Sequence, residues 1–442
     1  MTSGLVHELA RFVYGFRLGA GAPAMDQVKA LVLDALAAIA GGMGSHEVQA
    51  AETAVGGTEQ GDTGRAPLLG RGRSTSPATA AFVHGAALRY LDIMDYYVAV
   101  DVSHPSEVIP AVLAFAQAGR LSGQEAMECI AAGYAIHMAL TESVPLHSVG
   151  LHHAGHAAVV VPLVVSRLRG FDLEHAAAAA SISAARFILP EGFARGHLAS
   201  VKALAYPLLA RQAIEAVELA SRGYAGNLRV LEEIFEILRC RFGADVSEER
   251  FREALSRADL DRVMVKAYPA QYTLQGLIAG AAGTARHDPD LWRRIARIEL
   301  HSSARSLERT ADPAKFKPAS REAADHSMPF CVAIALMEGG MDEVHLERSR
   351  WADADVLGLM ARMTPHPLPG DLGFHAGSQS LVLHLEDGVR RVIDCAYPPP
   401  DEKLWNVALR KLRHYGRDEI DADRIAANVA AMETWPDVSR LW

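Results

Sequence analysis

The segment from Arg89 to Pro110, RYLDIMDYYVAVDVSHPSEVIP, concentrates titratable side chains in a stretch otherwise rich in Ala, Val, Leu and Ile. Its polar groups are three aspartates, two tyrosines and a histidine: Asp92, Asp95, Asp101, Tyr96, Tyr97 and His104. A carboxylate beside an imidazole can fix the tautomer of that imidazole and tune its pKa, which prepares it for proton transfer. The same residue types also suit helix caps and solvated loops, so the spacing alone leaves both interpretations open.

A group of histidines follows in GLHHAGHAA, where His152, His153 and His156 come shortly after His147. His152 and His156 are four residues apart and would share one face of a helix, as metal-binding pairs do. No glutamate base lies between them and no third ligand is evident, so we expect no metal site. The favoured interpretation is that one of these histidines contributes to a pocket.

Two lysines occur in unusual surroundings. Lys202, in GHLASVKALAYPLLARQ, stands at the start of an Ala-rich apolar helix, where its ammonium must either reach solvent or meet an anion. Lys266, in VKAYPAQYTLQ, lies where helical periodicity gives way to strand periodicity, and ligands often bind at such domain boundaries. A carboxylate clamp and a solvent-exposed position remain alternatives for both.

The bulk properties exclude several classes of protein. The net charge of −9 argues against a nucleic-acid or anionic-membrane surface. No apolar run is long enough to span a bilayer and the first residues do not resemble a signal peptide, so we expect a cytoplasmic enzyme. The four cysteines are isolated, and nucleotide-binding and calcium-binding motifs are missing, which gives metals, nucleotides and flavins no support.

The elements that must position these residues are mainly helical. Residues 1–260 repeat apolar side chains at helical spacing, and their many alanines predict a compact bundle with buried central helices. Residues 261–400 predict an α+β lid domain, with a strand at 296–304 and a hairpin that turns at Asp387-Gly388. Residues 401–442 return to helix. We therefore predict a mainly α fold, with a helical domain built from both ends of the chain and the lid inserted.

Taken in order, several blocks resemble the MmgE/PrpD family, which includes 2-methylcitrate dehydratase, cis-aconitate decarboxylase and iminodisuccinate epimerase. They are LRYLDIMDYY…HPSEVIPAVLA, GLHHAGH…RLRGFD, VKALAYPLLARQAIEAVELASRGYAGN, VKAYPAQYTLQ and ADHSMPFCVAIALMEGG. The resemblance implies a helical domain and an α+β lid, usually paired as a homodimer. It also implies catalysis without metal or organic cofactor, on small di- or tricarboxylates bound between the domains.

The resemblance assigns five catalytic positions. Asp92 matches the first Asp of the family's Asp-Phe-Asp-Asp-Thr block, and His104 matches the His of its His-Pro-Ser. His152 matches the family's pocket histidine, with His153 as the adjacent candidate. Lys202 and Lys266 match its two pocket lysines.

The departures from the family pattern imply a reshaped pocket. Tyr96 takes the place of the small Thr hydroxyl, and Gln271 stands where the decarboxylases carry a histidine. Gln275 is close to a glutamine of the methylcitrate dehydratases, whereas Phe330 replaces a frequent tyrosine. We include Tyr96, His153, Gln271, Gln275 and Phe330 as substrate-binding candidates.

The resulting hypothesis is proton abstraction next to a carboxylate. His104 transfers the proton while Asp92 orients it, Lys202 and Lys266 bind carboxylates and the developing charge, and His152 is the second proton carrier. The favoured reaction is that of a 2-methylcitrate dehydratase-like hydro-lyase acting on a hydroxy di- or tricarboxylate. The alternatives are an epimerase or isomerase using the same proton transfer, a decarboxylase, and a ligand-binding protein without turnover.

Overall fold

The computed structural model of the protein describes residues 4–19, 21–56, 65–194, 198–370, 372–397, 402–416 and 420–442. Within these ranges helices predominate and the strands form small sheets, which confirms the predicted mainly α fold. No single helix among the described residues is both long and apolar enough to cross a membrane. The bent pair of helices Pro23–Met43 and His46–Ala54 is long and apolar enough only when the two helices are counted together.

The helices before the lid are α1 (Leu5–Gly15), α2 (Pro23–Met43), α3 (His46–Ala54), α4 (Pro77–Tyr90), α5 (Ile109–Gly119), α6 (Gly123–Ser143), α7 (Ala157–Leu168), α8 (Leu173–Ala184), α9 (Ala205–Ser221), α10 (Val230–Phe242) and α11 (Glu248–Ser256). Two short antiparallel pairs accompany them: β1 (Ala66–Pro67) with β2 (Ser74–Thr75), and β3 (Tyr97–Val98) with β4 (Val102–Ser103).

Small residues let the central helices approach closely. A Cβ atom at Gly42 of α2 would lie 2.2 Å from the carbonyl oxygen of Ala87 in α4, closer than any real side chain comes. Helix α4 begins at Pro77, after Ser76, whose side chain accepts the Thr79 N–H at 3.3 Å. Every residue of α4 from Thr79 to Tyr90 is buried, so α4 is a core helix that ends in the interior of the protein.

The lid contains α12 (Gln275–His287), α13 (Ala304–Thr310), α14 (Arg321–Ala324), α15 (Met328–Glu338), α16 (Glu343–Glu347) and α17 (Ala354–Met360), with strands β5 (Ile295–Ser302), β6 (Met363–Pro367), β7 (Ser380–Leu385) and β8 (Arg390–Asp394). The strand order is β6-β5-β7-β8, with β5 and β6 parallel and the other pairs antiparallel. The predicted strand and hairpin are therefore present, and Gly388 makes the turn at φ +84°.

Two hydrophobic cores organise these elements. The buried residues of the first run from Leu5 to Val265 and resume at Val407, whereas those of the second run from Ala270 to Cys395. Helices α18 (Leu404–Gly416) and α19 (Ala422–Ala430) thus return to the helical core, where α18 packs on α2.

The return of α18 is anchored by one buried lysine. Lys411 donates to the carboxylate of Asp34 in α2 and, at 2.8 Å, to the carbonyl oxygen of Ile93. Burial raises the pKa of Asp34, and the Lys411 ammonium opposes this effect. Because Ile93 lies three residues after the end of α4, this bond lets α18 fix the backbone of the acidic segment.

Candidate active site

The acidic segment leaves α4 through an unusual backbone conformation. Asp92 has φ +52°, a left-handed value that non-glycine residues seldom adopt and that is often found at functional sites. Lys266 donates to the Asp92 carbonyl oxygen at 2.7 Å and to its Oδ1 at 2.5 Å. Lys202 donates to Oδ2 at 2.8 Å, so both carboxylate oxygens of this buried residue hold an ammonium group.

The backbone contacts explain how Lys266 reaches this position. Tyr96 and Met264 exchange two backbone hydrogen bonds of 2.7 and 2.9 Å, which tie the acidic segment to the chain just before the lid. The pairing of β3 with β4 then folds the chain after Tyr96 back toward His104. The boundary between the domains is therefore held against the segment that contains Asp92.

The charges of this centre do not cancel. Burial acts to raise the pKa of Asp92, but Lys202 and Lys266 together hold it well below its usual range. Burial lowers the pKa of Lys266 to about 8, against the attraction of Asp92, so its ammonium is mostly charged at neutral pH. One carboxylate shared by two ammonium groups leaves a net positive charge among these buried side chains, which favours an anionic ligand.

His326 of the lid completes this centre. Its Nε2 lies 3.0 Å from the Lys202 Nζ and 3.3 Å from the Asp92 Oδ2, and its Nδ1 pairs with the Asp325 carboxylate. Burial lowers the pKa of His326 to about 4, so the ring is neutral and accepts from Lys202 through Nε2. His326 was not predicted from the sequence, although the family resemblance includes its Asp325-His326-Ser327 block and Phe330 from the same block was a candidate.

His104 is oriented by a carbonyl group and not by Asp92, which corrects the role that we expected for Asp92. Its Nδ1 lies 2.6 Å from the Asp95 carbonyl oxygen, which can only accept, so the ring proton is on Nδ1. Burial, with Arg89 and Lys266 nearby, holds the pKa of His104 well below its usual range. The neutral ring therefore presents an unprotonated Nε2.

The Asp95 backbone is itself held firmly. Its Oδ1 accepts from the backbone N–H and hydroxyl of Ser106, at 3.1 and 2.6 Å, and its Oδ2 accepts from Tyr134 at 2.8 Å. Burial raises the pKa of Asp95 to about 6 against these hydrogen bonds. The Ser of the His-Pro-Ser block thus serves to fix the group that orients His104.

His152 has the opposite tautomer. Its Nδ1 accepts the Ala154 N–H at 3.1 Å and is therefore unprotonated, which leaves the proton of the neutral ring on Nε2. Burial, with His147 and Arg89 nearby, holds the pKa of His152 well below its usual range. The ring centroid of His153 lies 4.2 Å from that of His152 and 5.2 Å from that of His104, so the three imidazoles are contiguous.

Arg89 and Glu107, which were not predicted as site residues, lie next to His153. Arg89 and Glu107 form a fully buried ion pair of 3.0 Å, and the Glu107 Oε2 lies 3.6 Å from the His153 Nε2. Burial raises the pKa of Glu107 to about 8, although Arg89 opposes this shift. Glu107 directly follows Ser106, so its position in the same motif was the available signal.

Two groups of described residues each bring three possible metal ligands within 4.8 Å: His147, His152 and His153, and Asp92, Asp325 and His326. In the first group, the single lone pair of neutral His152 is used by the Ala154 N–H. In the second group, both oxygens of Asp92 hold ammonium groups. As these side chains lie, neither donor set fits a divalent cation.

Of the other substrate-binding candidates, Tyr96 lines a cavity, whereas Gln271 is buried and bonded to its neighbours. Tyr96 packs against Tyr272, with ring centroids 5.1 Å apart and ring planes tilted by 36°, and both line a cavity of about 1120 Å³ between the lid and the helical domain. Gln271 is buried, and its Oε1 accepts from the backbone and hydroxyl of Thr273, while its backbone N–H donates to the Asp325 carbonyl oxygen.

Gln275 and Phe330 have structural surroundings. The Gln275 side chain makes four hydrogen bonds to the backbone between Ala267 and Ala270, which leaves it no free donor or acceptor for a ligand. Phe330 is fully buried in the lid core against Trp351. The structure thus brings together Asp92, Lys202 and Lys266, with His104 nearby and His152 linked to His104 through the His153 ring. It does not bring Gln275 or Phe330 to them as ligand-facing groups.

Comparison with protein families agrees with this two-domain architecture. The model of the MmgE/PrpD N-terminal domain matches residues 7–249, and that of the MmgE/PrpD C-terminal domain matches residues 268–421. The chain belongs to the MmgE/PrpD family. Membership supports a function of the dehydratase or lyase type. Within this MmgE/PrpD chain, Lys202 comes from the N-terminal match, His326 from the C-terminal match, and Lys266 from the segment between them.

Proposed function

We propose that the protein is a cofactor-independent hydro-lyase, similar to 2-methylcitrate dehydratase, that acts on a small hydroxy di- or tricarboxylate. The observation that carries the proposal is the pair of opposite tautomers beside a cationic centre. His104 offers a lone pair at Nε2, and His152 offers an N–H at Nε2. A β-elimination needs both: an acceptor for the proton next to the carboxylate and a donor for the departing hydroxyl.

The cationic centre supplies what makes the carbon acid reactive. When His104 removes the proton, negative charge moves onto the substrate carboxylate. The ammonium groups of Lys202 and Lys266 face that charge from a buried position, where Coulomb attraction is stronger than in water. Since both lysines are held by Asp92 before substrate arrives, little reorganisation is needed at the moment of reaction.

The hydroxyl leaves toward His152. The neutral imidazole donates a hydrogen bond from Nε2, as neutral histidines do when they polarise an oxygen. The departing hydroxide then takes up the proton that His104 accepted. The C–H and C–O bonds are replaced by a C=C bond, one water leaves, and both histidines return to their neutral forms.

Proton NMR of candidate hydroxy acids in D₂O tests the proposal. We expect an alkene product together with deuterium next to the carboxylate. Deuterium uptake with inversion and no alkene would instead indicate an epimerase, and release of carbon dioxide would indicate a decarboxylase. Absence of any reaction across hydroxy di- and tricarboxylates would indicate a ligand-binding protein and would overturn the proposal.

A further inference from the structure

One edge of the lid sheet is open. Strand β8 (Arg390–Asp394) ends the strand order β6-β5-β7-β8, and among the strands that the structure describes it pairs only with β7. The opposite edge is β6, where Pro365 and Pro367 lack the backbone N–H groups that a further strand would need. Strand β8 contains no proline, so its free edge can accept another strand.

The hydrogen bonds of the β7–β8 hairpin show which backbone groups of β8 face this edge. Just past the strand, the Cys395 N–H donates to the Gln379 carbonyl oxygen at 2.9 Å. Bonded and non-bonded residues alternate along an antiparallel pair, so every second residue before Cys395 bonds to β7. The N–H and C=O groups of Arg390, Val392 and Asp394 therefore point away from β7, toward the free edge.

The side chains at these three positions lie on one face of the sheet, because alternate residues of a strand point the same way. Val392 is 52% exposed on that face, whereas Ile393 on the other face packs against the lid core. Arg390 and Asp394 are exposed, and no ion pair joins either of them to another described residue. The free edge thus presents a cation, an apolar side chain and an anion in sequence.

We propose that the free edge of β8 is a self-association surface, at which a second copy of this chain pairs antiparallel about a twofold axis at Val392. This register sets Val392 opposite its own copy, and Arg390 of each chain opposite Asp394 of the other. Because the backbone groups of all three positions face the edge, each opposed pair exchanges both of its hydrogen bonds. The two four-stranded sheets then form one continuous sheet.

The charges of β8 favour this pairing and this register. Charged residues usually protect a sheet edge, but Arg390 and Asp394 are equally far from Val392 on opposite sides, so the twofold axis brings unlike charges together. Register shifts that set either charge opposite its own copy would bring like charges together. Arg391, the other cation of the strand, points to the opposite face and lies 3.7 Å from the Asp288 carboxylate of its own chain.

Disulfide cross-linking of the full chain tests the proposal. The Cα atoms of a bonded antiparallel pair are about 5.5 Å apart, within the reach of a disulfide. Cys240, the exposed cysteine, is first replaced by Ser. We expect the Val392→Cys variant to form a covalent dimer under mild oxidation. Val389→Cys is the matched control and should stay monomeric, because Val389 is 47% exposed but the twofold axis carries its copy to the far end of the strand.

Two charge variants, made in the Val392→Cys chain, test the register. Arg390→Asp sets like charges against each other at both ends of the strand pair and should slow formation of the covalent dimer by roughly tenfold. The double replacement Arg390→Asp with Asp394→Arg restores opposite charges in reversed order and should restore the rate of cross-linking. Circular dichroism melting verifies that each variant is folded.

One strand pair buries little area, so we expect association at roughly micromolar concentrations. A folded Val392→Cys variant that stays monomeric at roughly 100 µM would overturn the inference. Equal cross-linking of Val392→Cys and Val389→Cys would do the same, as would a charge reversal that the second replacement does not rescue. A dimer in sedimentation without the cross-link at Val392 would place the interface on another surface and would also overturn it.

This inference does not rest on the proposed reaction, because the free edge of β8 contains none of the residues assigned to proton transfer or to substrate binding. Cross-linking needs no substrate. If no hydroxy acid reacts but the Val392→Cys variant cross-links as expected, the hydro-lyase proposal fails and the self-association surface stands.

Discussion

The imidazole of His104 is oriented by the backbone carbonyl of Asp95, 2.6 Å from Nδ1 and nine residues earlier in the chain. A carbonyl group does not titrate, so the tautomer of His104 does not depend on the ionisation of an orienting carboxylate. The unprotonated Nε2 is therefore available wherever the ring is neutral, and burial keeps it neutral through the physiological range.

Replacement of His104 by Gln should remove the base while retaining a side-chain donor that can reach the Asp95 carbonyl oxygen. Positioned general bases contribute about 10²–10⁴-fold, so we expect proton exchange next to the carboxylate to fall by at least ~10²-fold. NMR in D₂O measures this rate, and circular dichroism melting should show an unchanged Tm. Exchange within a few-fold of the wild-type rate would remove His104 from the chemistry.

Replacement of His152 by Leu should separate the two halves of the reaction. Leucine has no N–H to donate to the leaving hydroxyl, whereas His104 and the lysine pair stay in place. We expect deuterium incorporation to continue while alkene formation drops by roughly 10²-fold. Parallel loss of both signals would show that His152 acts in proton abstraction or in substrate binding.

The fold was largely predictable because its signals are local, whereas the five catalytic positions were assigned through the family resemblance. Alternation in 296–304 and the Asp387-Gly388 turn identified β5 and the β7–β8 hairpin. Strand β6 was not predicted, since Pro365 and Pro367 interrupt its pattern and are tolerated only because it lies at the sheet edge.

The partners within the site were less predictable than its members. Nothing in the spacing of Asp92 and His104 distinguishes a direct bond between them from the bond that His104 makes to a backbone carbonyl, because backbone acceptors leave no sequence pattern. His326 reaches the site from the lid through tertiary packing, over more than a hundred residues of separation from Lys202. Such contacts have no signature in a single sequence.

The activity should decline in alkaline solution. Burial lowers the pKa of Lys266 to about 8, and above that pH its ammonium loses the charge that stabilises the substrate anion. We expect kcat/KM to fall as the pH rises through about 8, because the pH dependence of kcat/KM reports the ionisation of groups in the free enzyme. Lys266→Arg, which stays protonated, should move the limb to higher pH even if its absolute rate is low. An alkaline limb unchanged in Lys266→Arg would assign the limb to another group.

Replacement of Asp92 by Asn should destabilise the protein, because it leaves Lys202 and Lys266 buried without a counter-ion. Removal of one partner from a buried ion pair costs about 3–5 kcal/mol, and Asn tolerates the left-handed backbone, so the loss reports the charge. Urea unfolding at pH 7 measures it. Asp355→Asn on the surface is the control and should change the free energy of unfolding little.

The pH dependence of that difference provides a second check. The folded pKa of Asp92 is depressed, so its stabilisation is fully present above the unfolded pKa of about 4 and is lost as the pH falls toward the folded value. The gap between the wild type and Asp92→Asn should therefore shrink below about pH 4. A gap that is constant with pH would mean that the variant acts through packing.

The bond from Lys411 to the Ile93 carbonyl oxygen joins positions 318 residues apart. Loop closure over such separations is slow relative to helix formation, which takes less than a microsecond. During folding, the helical bundle can therefore collapse well before the backbone around Asp92 reaches its final conformation. Catalytic competence is then among the last properties that the polypeptide gains, and it should be among the first to disappear when the contact between α18 and α2 loosens.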